Sequence, residues 1–166
     1  MGTWACGSEK PASPETTKFP HPLLLTIIRD TVGTFRGVDI GEERAVVEYL
    51  EGINVQELSN RSALVVRQDF PGNNCLYVRY VFLASGRLGE IVADAYLERI
   101  ELGTVLAEAL RQYFDRRWGP AQSAMGVWSW RTRDVSGQYP VRIELRDESE
   151  EYGYGKVNIT VYPEPL

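Results

Sequence analysis

Histidine, cysteine and lysine are all scarce in this 166-residue chain, and each scarcity narrows the chemistry open to it. The one histidine, His21, stands between Pro20 and Pro22. A Ser–His–Asp triad or a Cys–His pair needs its imidazole on a rigid scaffold, and a proline-flanked segment is a poor one. Two cysteines, Cys6 and Cys75, with a single histidine do not make a zinc set, and they are too few for a disulfide framework. A Cys6–Cys75 bridge would tie down only a flexible tail, so Cys75 is read as a free, half-buried thiol. Lysine occurs three times against fifteen arginines, and the formal charge is -5. Nucleic-acid surfaces need a basic stripe, so none is expected. No run approaches the ~20 apolar residues of a spanning helix. Neither a dinucleotide-binding glycine motif after a strand nor a phosphate-binding loop motif is present, and no cofactor or metal is expected.

What remains is an ordinary apolar fraction. Hydrophobic residues make up 43% and charged residues 25%, enough for one core without disulfide staples. Residues 1–22 carry Pro11, Pro14, Pro20 and Pro22 among Ser, Thr, Glu and Lys. Such a stretch buries too little apolar surface to offset its ordering entropy and reads as an extended tether. Residues 23–166 then form a single domain. Ala5-Cys6 followed by this polar, proline-rich spacer resembles the start of a mature bacterial lipoprotein. That resemblance implies a lipid on Cys6 and a tether holding the domain off a membrane.

The domain contains an internal repeat. Asp39-Ile40-Gly41 opens one helical pattern and Glu101-Leu102-Gly103 opens a second, 62 residues later. The first helix carries Val46, Val47 and Leu50 on one face. The second carries Leu106, Leu110, Tyr113, Phe114 and Trp118. Gly52 and Gly119 are placed to stop them, and Pro120 prevents continuation. Three strands follow each helix: 62–70 matches 126–135, 76–83 matches 140–147, and 89–97 matches 156–163. Val78-Arg79 and Val141-Arg142 fall 63 apart, and Tyr96 and Tyr162 fall 66 apart. Each half, about 36–98 and 99–163, therefore reads α-β-β-β. Neither half buries enough alone, so the expected fold is α+β, with tandem repeats forming one antiparallel sheet and helices packed on one face. Residues 22–35 are apolar and read as a leading helix in preference to an edge strand. The loop 147–155, DESEEYGYG, reads as a solvated acidic hairpin tip; it lacks the alternating ligands of a calcium loop.

Thr34-Phe35-Arg36-Gly37-Val38-Asp39-Ile40-Gly41, with Gly86-Arg87-Leu88, Trp118-Gly119-Pro120, Trp128 and Trp130, resembles an entry and repeat pattern of bacterial envelope proteins. Over residues 30–163 the chain is similar to the β-lactamase-inhibitor-protein-like fold; small outer-membrane assembly lipoproteins of the SmpA/OmlA type carry a single, shorter version. The resemblance implies a non-catalytic protein, several members of the group binding other proteins through the open sheet face.

Strand alternation assigns the faces. Val141, Ile143 and Leu145 belong to the core with Val157, Ile159, Val161, Leu76, Val78, Tyr80 and Phe82. Tyr77, Arg79, Tyr96, Arg142 and Tyr162 then point outward. Trp128 and Trp130 either join them or pack on Phe114 and Trp118. With the tryptophans outward, the open face holds the Trp, Tyr and Arg residues that dominate protein-interface hot spots. Trp128, Trp130, Tyr77, Arg79, Tyr96, Arg142 and Tyr162 are accordingly the candidate protein-binding residues, and Cys6 the candidate lipid-attachment site. The expectation is a lipid-anchored envelope protein, or an accessory subunit of a membrane complex, bound to a protein partner. A soluble inhibitor or immunity protein against a secreted enzyme or toxin, which would also admit a cytoplasmic location, is the second reading. A small hydrolase using Asp94 with Glu90 is the third, because paired carboxylates can act as acid and base.

Overall fold

The computed structural model describes residues 21–56 and 59–165. Cys6 and most of the expected tether lie outside the described residues. A short helix α1 (Leu24–Ile28) leads to α2 (Arg44–Glu51) and a 3-10 turn (Gly52–Asn54). Strands β1 (Ala63–Phe70), β2 (Asn74–Phe82) and β3 (Leu88–Leu97) follow, then the long helix α3 (Ile100–Trp118). The second half continues with β4 (Gln122–Ala124), β5 (Val127–Arg133), β6 (Pro140–Asp147), a one-turn helix α4 (Ser149–Tyr152) and β7 (Gly155–Pro163).

All seven strands join one antiparallel sheet in the order β1-β2-β3-β7-β6-β5-β4. The two β-β-β units therefore meet back to back along β3 and β7, the last strand of each repeat. β4 is an addition of the second half only. Alternate residues of every central strand are buried under the helices. Leu76, Val78 and Tyr80 on β2, Ile91 and Ala93 on β3, and Ile159 and Val161 on β7 are each at most 2% exposed.

Helix α3 forms because Gly103, Leu106, Ala107, Leu110 and Phe114 repeat at three- and four-residue spacing, which makes one buried stripe. Glu101 in its first turn and Arg116 and Arg117 in its last complement the helix dipole. Its N-terminal turn approaches β7 closely at Gly103, where a Cβ would overlap Ser149 Oγ and sit 2.9 Å from Gly155 Cα. Helix α2 is shorter and turns Val47 and Glu51 inward. Leu50 packs at the core margin while Val46 points outward, which corrects the expectation of a shared Val46–Val47–Leu50 face. Gly52 and Gly119 end α2 and α3 as expected. The apolar segment 22–35 holds only five helical residues, with Leu24, Ile27 and Ile28 buried.

The Arg36 of the Phe35-Arg36-Gly37 stretch is 2% exposed. It sits in a tight turn closed by a Phe35–Val38 bridge, with a left-handed φ of 55°. Its guanidinium donates to both carboxylate oxygens of Glu51, at 2.8 and 2.9 Å. It also donates to the Ile27 carbonyl at 3.0 Å and to Gln68 at 3.3 Å. The Tyr80 hydroxyl donates to Glu51, and Arg29 reaches it at 2.6 Å. One arginine thus ties together α1, the last residue of α2, and the sheet.

Candidate interaction face

Among the described residues no helix covers the second face of the sheet, and its residues follow from register. Opposed residues of an antiparallel pair share a face, so the pairing makes rows across the strands. One row runs Val65, Arg79, Val92, Thr160, Glu144, Ser129. The next runs Arg67, Tyr77, Asp94, Asn158, Arg146, Val127. Tyr77, Arg79, Tyr96, Arg142 and Tyr162 all lie on this face.

Trp128 and Trp130 do not. Trp128 pairs with Leu145 and Trp130 with Ile143, both core residues, so the two tryptophans share the helix-covered face. Trp130 is 4% exposed and meets the Phe114 ring edge-on at 5.1 Å, and its indole N–H donates to Asp115 at 3.1 Å. Phe114 stacks on Trp118 from its other side at 5.2 Å. The expectation that the tryptophans belong to the open face is corrected on this ground: the end of α3 supplies aromatic rings that need partners, and β5 supplies them. The signal was in the alternation, since Arg131 and Arg133 are in phase with Val127 and Ser129, and arginine belongs outside.

At the β7–β6–β5 side the face is a closed ionic lattice. Glu144 accepts from the Tyr162 hydroxyl at 2.8 Å and pairs with Arg146 at 2.9 Å and Arg142 at 3.2 Å. Glu164 pairs with Arg131 at 2.9 Å and Arg142 at 3.5 Å. Burial raises the Glu144 carboxyl, but the Tyr162, Arg146 and Arg142 contacts outweigh it and hold the group below its usual value. Burial and the Glu144 carboxylate together raise the Tyr162 hydroxyl.

A tyrosine cluster forms the opposite end of the face. Tyr77 meets Tyr96 edge-on at 6.1 Å, Tyr96 meets Tyr154 at 6.3 Å, and Tyr154 meets Tyr152 at 5.8 Å. Lys156 is threaded beneath them, 4.0 Å from the Tyr152 ring centre and 2.9 Å from Glu148. Burial lowers its pKa, but the Glu148, Tyr152 and Asp94 contacts prevail and raise it. Tyr152, Tyr154 and Lys156 were not expected from sequence. The 147–155 loop is not a free hairpin tip: α4 folds it back, because the Lys156 backbone N–H donates to the buried Ser149 hydroxyl at 3.0 Å. The turn glycines Gly153 and Gly155, alternating with Tyr152 and Tyr154, were its trace in the chain.

Glu90 and Asp94 sit four residues apart on β3, on this same face. Asp94 accepts from Asn158 at 2.9 Å and lies 3.8 Å from Lys156. Cys75 is a half-buried free thiol at the edge of a depression lined by Arg67, Asp69, Gly72, Asn73 and Asn74. His21 accepts the Leu23 backbone N–H at 3.2 Å. Among the described residues no cluster of His, Cys, Asp and Glu is arranged to hold a metal ion, and no helix is long and apolar enough to cross a membrane. No protein-family model, curated protein or solved structure matches the chain.

Proposed function

We propose that this chain is a non-catalytic protein-binding component of a bacterial cell envelope, docking one protein partner through the uncovered face of its sheet. One observation carries the reading. Among the described residues the long helix α3 packs on one side, while the other side displays tyrosine and arginine side chains across six strands with no helix laid across it. Tyrosine and arginine give large contact area and directional hydrogen bonds, and they are enriched where binding energy concentrates. The back-to-back arrangement of the two α-β-β-β units suits the same proposal, since it makes one broad surface from two small ones. It also fits the resemblance to the β-lactamase-inhibitor-protein-like group. The lipid anchor on Cys6 belongs to this proposal through the Ala5-Cys6 sequence and the proline-rich spacer after it.

The test is site-specific photo-crosslinking in the native host. A crosslinker replacing Tyr162 or Val92 probes the open face, and one replacing Val105, 57% exposed on α3, probes the helix side. A discrete protein adduct from the two sheet positions and none from Val105 is the expected result. Adducts only from Val105, or none from the sheet, would remove the reading.

A further inference from the structure

Within the open face, one small square of residues differs from everything around it. On β2 and β3, Arg79 stands opposite Val92, and Val81 stands opposite Glu90. The two valines occupy one diagonal and the two charges the other. Val65 of β1 stands on the far side of Arg79. Neither Arg79 nor Glu90 makes a hydrogen bond or ion pair among the described residues, although diagonal neighbours on a sheet lie within reach of long side chains. Most other cations of this face have an acidic partner: Arg67 with Asp69, Arg131 with Glu164, Arg142 and Arg146 with Glu144, Lys156 with Glu148; Arg133, at the end of β5, donates instead to the Gln138 carbonyl at 2.9 Å.

The repeat supplies an internal control. Arg142 is the counterpart of Arg79, and two residues further on it finds Glu144. Arg79 has Val81 at the matching position. The second half therefore neutralises its arginine within the face, whereas the first half surrounds its arginine with apolar side chains and leaves it open.

We propose that the Arg79–Val81–Val92–Glu90 square is the docking centre for the protein partner, and that the partner presents a carboxylate to Arg79 and a basic group to Glu90 across an apolar side chain seated on Val65, Val81 and Val92. Covering this square without such groups would strand two charges away from water, which is strongly unfavourable. An arginine fork takes a carboxylate in bidentate geometry. Opposite charges placed this way also reject partners carrying the wrong sign at either position. The inference rests on the reading that the open face binds protein, and it adds which charges the partner must bring.

The test uses the full chain and a displayed library of random peptides as probe. Peptides selected on the native chain are mapped by NMR shift changes. Their affinities are then measured on the charge-swapped double variant Arg79→Glu with Glu90→Arg, which keeps net charge and any pairing between the two positions. Both positions are on the surface, and an unchanged unfolding midpoint confirms the fold; Arg79→Gln and Glu90→Gln serve as the single-site versions. The expected result is peptides mapping to β1–β3, enriched in an acidic and a basic residue flanking an apolar one, and bound at least about tenfold more weakly by the swapped chain. Peptides that map to this face but bind the swapped chain equally overturn the docking square and leave the open-face reading standing. Peptides that map to the helix side, or a library yielding none, overturn both.

Discussion

Replacing Glu51 with glutamine tests the buried ionic knot that anchors the entry turn to the sheet. The Glu51 and Arg36 side chains are 1% and 0% exposed, and Glu51 accepts from Arg36, Arg29 and Tyr80. Glutamine preserves the shape and one acceptor oxygen. It leaves the Arg36 guanidinium buried without its counter-charge, and its remaining acceptors are backbone carbonyls and Gln68. Breaking one partner of a buried pair costs about 3–5 kcal/mol, and the surviving acceptor places this variant near the lower bound. Urea unfolding with an unchanged m value reads the loss directly. Adding Arg36→Met removes the stranded charge, so the double variant should be more stable than the sum of the single losses by about 1–3 kcal/mol. A loss below about 1 kcal/mol for Glu51→Gln, or strict additivity with Arg36→Met, refutes the account of the knot.

The same pair makes a pH prediction. Burial raises the Glu51 carboxyl, but the hydrogen bond and charge of Arg36, with Tyr80 and Arg29, outweigh it and hold the group below the ordinary 4.5. A depressed carboxyl stabilises the folded chain above its unfolded value, and that contribution disappears as pH falls through the lower folded value. The gap in stability between the native chain and Glu51→Gln should therefore be full at neutral pH and should narrow below about 4.5. Tyr80 acts in the alkaline direction. Burial first, and then the Glu51 charge, raise its hydroxyl well above the ordinary 10.0, so stability falls once unfolded chains ionise this tyrosine above that value.

Three other outcomes are expected. Trp130→Ala should cost about 3–5 kcal/mol in urea unfolding, because it empties the site between Phe114 and the sheet; partner binding, corrected for the folded fraction, should not change. Gly103→Ala should destabilise by about 1–3 kcal/mol, since its methyl group would push on Ser149 and on the backbone of β7; a neutral result in thermal unfolding would contradict the close approach of α3. Protein purified from its native host should carry lipid mass on Cys6 and partition into detergent, and Cys6→Ser should abolish both; an unmodified Cys6 would remove the anchor from the proposed function.

The sheet was legible because its signals are periodic. Val141, Ile143 and Leu145 alternate with Arg142, Glu144 and Arg146, and no other face assignment buries the apolar set. The repeat was legible because a glycine ends the main helix of each half and three strands of matching alternation recur after it, β4 being extra in the second half. Two parts of the site were hidden for different reasons. On β5, apolar Val127 and the two tryptophans fall on opposite faces, so hydrophobicity could not choose between them, and the choice was made by Phe114 on a helix distant in the fold. The Arg36–Glu51–Tyr80 knot joins residues far apart in the chain; Tyr80 was expected in the core, but the two charges that meet it there were not. Burial of a charge depends on the partner that meets it, and sequence spacing carries no record of that meeting.

Duplication also separates what the fold requires from what the surface was free to vary. Both halves need the same inward residues, since Val78 and Val141 fill equivalent places beneath the helices and each is fully buried. The outward residues carry no such demand. At equivalent positions the second half has Arg142 held by Glu144, whose carboxylate also anchors Tyr162 and Arg146. That half of the face is rigid and electrically closed, and a partner would gain little by displacing bonds already made. The first half has Arg79 exposed among valines and, beside it, Glu90 without an ionic partner among the described residues, where a docking partner would form new ionic contacts instead of exchanging old ones. The asymmetry of charge pairing across a symmetric sheet therefore points binding toward β1–β3, and it does so without reference to the tryptophans that sequence alone had made the leading candidates.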